Sequence, residues 1–297
     1  VPSIFTHLII AQDALEAQPS GAGRELLESN GKSYFLGALS PDLPYFDMFH
    51  NYRGLPLGGM LGPVIGPVTH TLEARVLAWL GWSMPERDGW GLRLHSVAAP
   101  AILRSWARHA LRRPGALAAF VAGMLTHCAA DEVLHPKVNA DSGDGSTAES
   151  LRLHRELEIN LDYVLLRSRG VAMEGLSLGG ALERSLGRVD QAGEYLSPAL
   201  KHAWVEASAQ CDGVQPLRRG ELDAWSRGFA GAMRLLEHPL SPMQQQKRRF
   251  LAGREEHWRT FFARERYLAS HVPRASRAAA IALKTALRRG PEPVAAF

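Results

Sequence analysis

Apolar residues recur at helical spacing along most of this chain. Residues 4–17 (IFTHLIIAQDALEA) place Leu8, Ile9 and Leu15 on one inward face, with Ser3 suited to cap the helix. A second apolar segment runs from Ala116 to Leu125, free of proline and glycine between Leu117 and Val121, and predicts a buried helix. Further helices are expected near Arg24 to Glu28, from Leu72 to Trp82 and from Ala98 to Leu111, and again from Glu149 onward. Others follow over 177–186, 190–210, 219–236, 242–268 and 273–289. A polar loop is expected at 139–147, after His135-Pro136. Pro41 and Pro44 should hold Asp42 in an extended turn, because proline disfavours helix in the residue before it. No alternating strand pattern of useful length and no fixed-period repeat is present. The expected fold class is therefore all-α, a multi-helix bundle with side chains projecting into a central cleft.

Composition narrows this picture. With 46% hydrophobic and 22% charged residues the 297-residue chain is that of a globular protein with a sizeable core. We expect residues 1–238 to form the main domain and 239–297 a basic helical extension packed on it. No run of eighteen apolar residues predicts a membrane span. Cys128 and Cys211 allow at most one disulfide, and Cys128 reads as a small buried hydrophobe. The net charge of +4 is concentrated late, from Lys247 to Arg289, as a basic face suited either to solvent or to an anionic lipid surface. Residues 51–69 form a glycine- and proline-rich yet apolar loop, and Trp79, Trp82 and Trp90 cluster after it, as core or as lipid contact.

The chemistry sits on the buried helix. His127, Asp131 and His135 follow one another at i, i+4, so they share one stripe within roughly 80°. Two imidazoles and a carboxylate in an apolar segment are costly to bury without a partner, and a divalent cation, zinc best, supplies one. His154 and Glu158 repeat the i, i+4 spacing on the following helix, and Asp162 continues that stripe. Asp42 on its turn and His95 at a helix entrance can join a site between helices, with His70 as a competitor for His95. His7 lies close to Val1, whose amine and carbonyl can chelate a metal together. These donors exceed the three or four that one zinc takes, so they suit a cluster of two or three ions bridged by a carboxylate such as Asp131.

The ordered blocks Thr6-His7-Leu8, Gly37-Ala38-Leu39-Ser40-Pro41-Asp42, Leu94-His95-Ser96, Gly123 to Pro136 and His154 to Glu158 resemble the zinc-dependent phospholipase C family. Relatives include the glycosylphosphatidylinositol-specific phospholipase D and the single-strand-specific zinc nucleases. The resemblance covers roughly residues 1 to 165 and implies an all-α fold with three zinc ions. It assigns one ion to His95, His127 and Asp131 with Asp42 close by or bound, and a second to His135, His154 and Glu158. The third goes to His7, Asp131 and the backbone of Val1. It further implies hydrolysis of a glycerophospholipid by metal-activated water, giving diacylglycerol and a phosphorylated head group, with Asp42 as base, orienting group or ligand.

The nuclease branch of the same superfamily is the nearest alternative. The short spacing of His7 from the start of the sequence resembles that branch, but its last ligand pair resembles His-x3-Asp, whereas this chain has His154-x3-Glu158, and the sequence places no aromatic stacking platform for bases near the candidate ligands. A phosphohydrolase built on a His-Asp dipeptide is disfavoured by the absence of that dipeptide. A non-catalytic helical module with structural zinc would need closed four-ligand sites. Choline-cleaving relatives carry aromatic residues where this chain has Leu43 and Leu92, so ethanolamine lipid or another phosphodiester is as well matched as choline lipid. The expected partner is phospholipid at a membrane surface, bound peripherally by a monomer, with nucleic acid disfavoured. The expected location is secreted or extracytoplasmic, with a cytoplasmic one as the alternative.

Overall fold

The computed structural model describes residues 4–46, 94–95, 99–111, 115–143, 148–172, 176–187, 195–209, 216–234, 237–238, 244–245, 247–248 and 255–289. Among these, ten α-helices and one 3-10 helix carry the fold, and no strand occurs. The helices are α1 (Ile4–Glu16), α2 (Ala22–Ser29), α3 (Gly31–Gly37), α4 (Ala99–Leu111) and α5 (Ala116–Ser142). They continue with α6 (Ala148–Ser168), α7 (Leu178–Leu186), α8 (Pro198–Ala209), α9 (Arg219–Arg234) and α10 (Glu255–Arg289). The expected all-α class is the observed one. Val1, Ser3, the 51–69 loop, His70, the 72–82 helix with its tryptophans, Leu92 and Cys211 lie outside the described residues.

Helix α5 is the axis of the molecule. It packs against α1, α3, α4, α6, α8 and α10. Its length and hydropathy alone would suit a membrane span, but here that apolar surface is spent on the core. One side joins Phe120, Val121 and Met124 to Leu36, Leu43, Trp106 and Trp204. The other joins Ala119, Ala130, Leu134 and Val138 to Ile10, Leu157, Leu161 and to Val272, Ala275, Ala279 and Leu283 of α10.

Two glycines let α3 approach closer than any side chain would allow. A Cβ on Gly123 would stand 2.0 Å from the Tyr34 carbonyl oxygen, and one on Gly37 would stand 2.0 Å from the Phe120 carbonyl oxygen. Backbone therefore meets backbone at this crossing, and the chain after α3 is laid directly along the His127, Asp131 and His135 stripe of α5.

Three local expectations are corrected. The loop placed at 139–147 begins later, because α5 continues through Pro136 to Ser142 and stops at Gly143, whose φ of 89° favours glycine. Leu134 and Val138 are both buried on the α10 side, and their packing outweighs one lost backbone bond at Pro136. The break expected between 268 and 273 is absent for the same reason: Val272 and Ala275 hold α10 continuous through Pro273. Asp42 lies in a 3-10 helix, Ser40–Phe46, rather than an extended turn. Pro41 sits in the first turn of this helix, where its missing N–H costs nothing, and the Asp42 amide donates back to the Leu39 carbonyl at 3.2 Å.

Candidate metal centre

Five elements deliver the candidate side chains. His7 comes from the first turn of α1, Asp42 from the 3-10 helix after α3, and His95 from the segment before α4. His127, Asp131 and His135 come from α5, and His154 and Glu158 from α6. The fold brings these eight side chains together, while Val1 lies outside the described residues.

Asp131 is the hub. Its Oδ1 stands 3.4 Å from His7 Nε2 and 3.4 Å from His135 Nε2. Its Oδ2 stands 3.0 Å from His127 Nε2 and 3.4 Å from His95 Nε2. Asp42 closes the buried side, with Oδ1 3.2 Å from His95 Nε2 and Oδ2 3.7 Å from His127 Nε2. On the other side Glu158 Oε1 lies 3.1 Å from His154 Nε2 and 3.7 Å from His135 Nε2.

Within this cluster three sets of donor atoms lie close enough to share an ion: His7, Asp42 and His127; His95, His127 and Asp131; His135, His154 and Glu158. Exposure grades along it. The His127 side chain is fully buried, whereas those of His135 and His154 are 32% and 22% exposed, so solvent reaches the cluster from that end.

The hydrogen bonding of the rings fixes what they offer. The Ala38 carbonyl can only accept, so His127 Nδ1 donates to it at 2.8 Å and Nε2 of the neutral ring presents a lone pair. That lone pair faces Asp131, Asp42 and, at 3.2 Å, His95 Nε2. Electron-rich atoms in such an arrangement repel unless a proton or a cation lies between them. Burial works to lower the His127 pKa, yet the Asp131 and Asp42 carboxylates outweigh it and raise it.

The converse holds for the acids. Burial would raise Asp131, but the imidazoles of His127, His135 and His7 hold it well below the usual carboxylate range. Asp42 is likewise lowered, against burial, by His127 and by its hydrogen bond with His95. His7, desolvated by burial and repelled by His127, falls to about 3 and stays neutral near pH 7. Among the described residues, neither Asp131 oxygen nor His7 Nδ1 has a hydrogen-bond partner, although all three atoms are buried. Buried carboxylate oxygens without hydrogen bonds, ringed by imidazole nitrogens, are the donor set that divalent zinc satisfies, so the residues present fit the metal.

Some supporting groups escape a reading of the sequence. The Ala38 carbonyl carries no side-chain signal. Ser142 Oγ lies 3.4 Å from His154 Nδ1, within what had read as loop. Lone glycines inside helical runs, Gly37 and Gly123, were the available hint of a close crossing. Cys128 is half-buried against the core, and burial pushes its thiol pKa up, so it stays a thiol beside the cluster.

The fold and the cluster thus define a class: a helical protein whose core gathers five imidazoles and three carboxylates able to hold divalent cations. The sequence profile of the zinc-dependent phospholipase C family matches residues 6–206. The chain belongs to that family. Comparison with curated proteins gives no match, and neither does comparison with solved structures.

Proposed function

We propose that the protein is a phosphodiester hydrolase of phospholipase C type, holding up to three zinc ions in the cluster around Asp131. The observation that carries this reading is the shared Asp131 carboxylate, with one oxygen toward His7 and His135 and the other toward His95 and His127. A structural zinc site is closed by four ligands to a single ion. A carboxylate spread over several donor groups, with a solvent-reached end at His135 and His154, supports a multi-ion site that admits substrate.

One ion is assigned to His95, His127, Asp131 and Asp42, a second to His135, His154 and Glu158, and a third to His7 and Asp131 with the Val1 backbone. When bound, zinc lowers the pKa of water toward neutrality and neutralises charge developing on the phosphoryl group. The chain's own residues do the rest. His127 is held in the ligating tautomer by Ala38, and His154 is steadied by Ser142. Asp42 is kept ionised and therefore acts as an acceptor that orients the attacking water rather than as a strong base. Water oxygen joins phosphorus, the phosphorus–oxygen bond to the glycerol breaks, and the water proton leaves with diacylglycerol.

Leu43 is fully buried in the core, so the position where choline-cleaving relatives place an aromatic residue makes no head-group contact here. This supports ethanolamine lipids or another phosphodiester alongside choline lipids. For the peripheral encounter with lipid, the exposed face of α10 is suited: Arg274, Arg277 and Lys284 surround Ile281, which is 64% exposed, and no acidic residue occurs from Arg266 to Arg289. The decisive test pairs metal analysis of untagged protein with a panel of p-nitrophenylphosphorylcholine, phospholipids of different head groups and single-stranded DNA. Two or three zincs with lipid hydrolysis sustain the reading. Preferential cleavage of DNA replaces it with the nuclease reading, and a single zinc without turnover replaces it with a structural module.

A further inference from the structure

The rings of the cluster are not all fixed in the same way. His127 is oriented by the Ala38 carbonyl and His154 by Ser142. His7 has no such help among the described residues, because its Nδ1 is buried without a hydrogen-bond partner there. Its ring stacks on His127 with centroids 3.8 Å apart, and its Nε2 stands 3.4 Å from Asp131. Beyond that stacking, the placement of His7 is set through its backbone.

The backbone is held one residue earlier. Asp162 lies on α6 one helical turn beyond Glu158, on the same stripe as His154, and is 1% exposed. Its Oδ1 accepts from the Thr6 amide at 2.6 Å and from the Thr6 hydroxyl at 2.8 Å. Thr6 is the third residue of α1, so its amide belongs to the helix-end donors that lack an intrahelical partner. A carboxylate there also meets the positive end of the helix dipole. A buried carboxylate oxygen bonded to one residue 156 positions away constrains that residue more tightly than apolar packing would.

We propose that Asp162 is a positioning residue for the metal centre: it clamps Thr6 and so holds His7 against Asp131 for the third ion. The helix that carries His154 and Glu158 thereby also sets the His7 end, two turns along the same face. The far end of α1 is tied down independently, by Tyr34 to the Ala11 carbonyl and by Arg169 and Ser276 to Asp13. Loss of the clamp therefore frees the first turn of α1 and leaves the rest of the helix docked.

This rests on the zinc reading above, and the test separates the two. Wild type, His7→Ala, Asp162→Ala, Asp162→Asn and the double variant Thr6→Val with Asp162→Leu would be dialysed against a graded chelator, and zinc per chain measured by mass spectrometry with circular dichroism alongside. We expect Asp162→Ala to release the same zinc as His7→Ala, at about 10- to 100-fold weaker chelation than wild type requires. The ion at His135, His154 and Glu158 should remain. Asp162→Asn keeps an oxygen that accepts from Thr6 and should retain most of the affinity, which a general loss of stability would not explain. Release of zinc by His7→Ala but not by Asp162→Ala overturns the clamp and leaves the metal reading standing. No zinc lost from His7→Ala overturns both the His7 ion and the clamp. Should Asp162→Ala fail to fold, the double variant Thr6→Val with Asp162→Leu decides, because it removes both arms of the clamp and puts apolar groups of similar size in their place: unchanged zinc affinity there overturns the proposal, and weakened affinity sustains it.

Discussion

Replacing Gly123 by alanine tests the link between helix packing and the metal centre. The new methyl carbon would stand 2.0 Å from the Tyr34 carbonyl oxygen, 2.7 Å from the Ala38 amide nitrogen and 2.9 Å from the Gly37 carbonyl carbon. Ordinary contact begins near 3.4 Å, so α3 would have to retreat by about 1.4 Å. Every one of these neighbours is backbone, and no side-chain rotation relieves the clash. Overpacking of this kind costs about 1–3 kcal/mol, and a rigid helix puts the cost at the upper end. At roughly 2–4 °C per kcal/mol for a domain of this order of size, the melting temperature of the metal-free protein should fall by roughly 6–12 °C.

The retreat also carries the Ala38 carbonyl away from His127 Nδ1, where the bond now measures 2.8 Å. Zinc affinity should then drop by about 10- to 100-fold, as it does when an outer partner of a ligating histidine is lost. Differential scanning fluorimetry with and without zinc, together with competitive chelator titration, reads both effects. Gly231→Ala is the control, since nothing lies within 4 Å of its added carbon and helix propensity alone should leave it neutral or slightly stabilised. A Gly123→Ala protein with wild-type melting temperature and zinc affinity would show that the backbone contact does not position the site.

Three further outcomes are expected. Asp42→Asn should lower turnover by about 100-fold or more while thermal stability of the zinc-loaded protein changes little; near-normal turnover removes Asp42 from the mechanism. In chelator-treated protein, His7 has a pKa lowered from 6.5 to about 3, so between those values the unfolded chain binds a proton that the folded chain refuses. The depressed Asp131 and Asp42 act in the same direction at lower pH, and the contribution of His127, whose pKa is raised, is fully present below 6.5 and lost only as pH rises through its folded value. Stability by urea titration should therefore fall as pH drops from 6.5 toward 4, and a flat or rising profile contradicts the neutral buried His7. Finally, the charge-reversed triple variant of Arg274, Arg277 and Lys284 should lose about a hundredfold or more in partitioning onto phosphatidylglycerol vesicles, with unchanged turnover of a soluble phosphodiester. Equal vesicle binding by the variant would rule out α10 as the docking face.

The sequence by itself determined the helical class and the two stripes of candidate ligands. Helix geometry turns i, i+4 spacing into a shared face, so His127, Asp131 and His135, and likewise His154 and Glu158, had to line up wherever their helices went. Local signals failed at Pro136, Pro273 and the Pro41–Pro44 turn, because a proline costs one backbone bond whereas burial of Leu134, Val138, Val272 or Leu43 involves many contacts. Only the tertiary structure decided that α1, the 3-10 helix and the residues before α4 converge on those stripes. The groups that do it are a glycine-lined helix crossing, the Ala38 carbonyl 89 residues from its histidine, and a carboxylate 156 residues from its threonine. Such pairings depend on which surfaces exclude water together, and spacing along a chain carries no record of that.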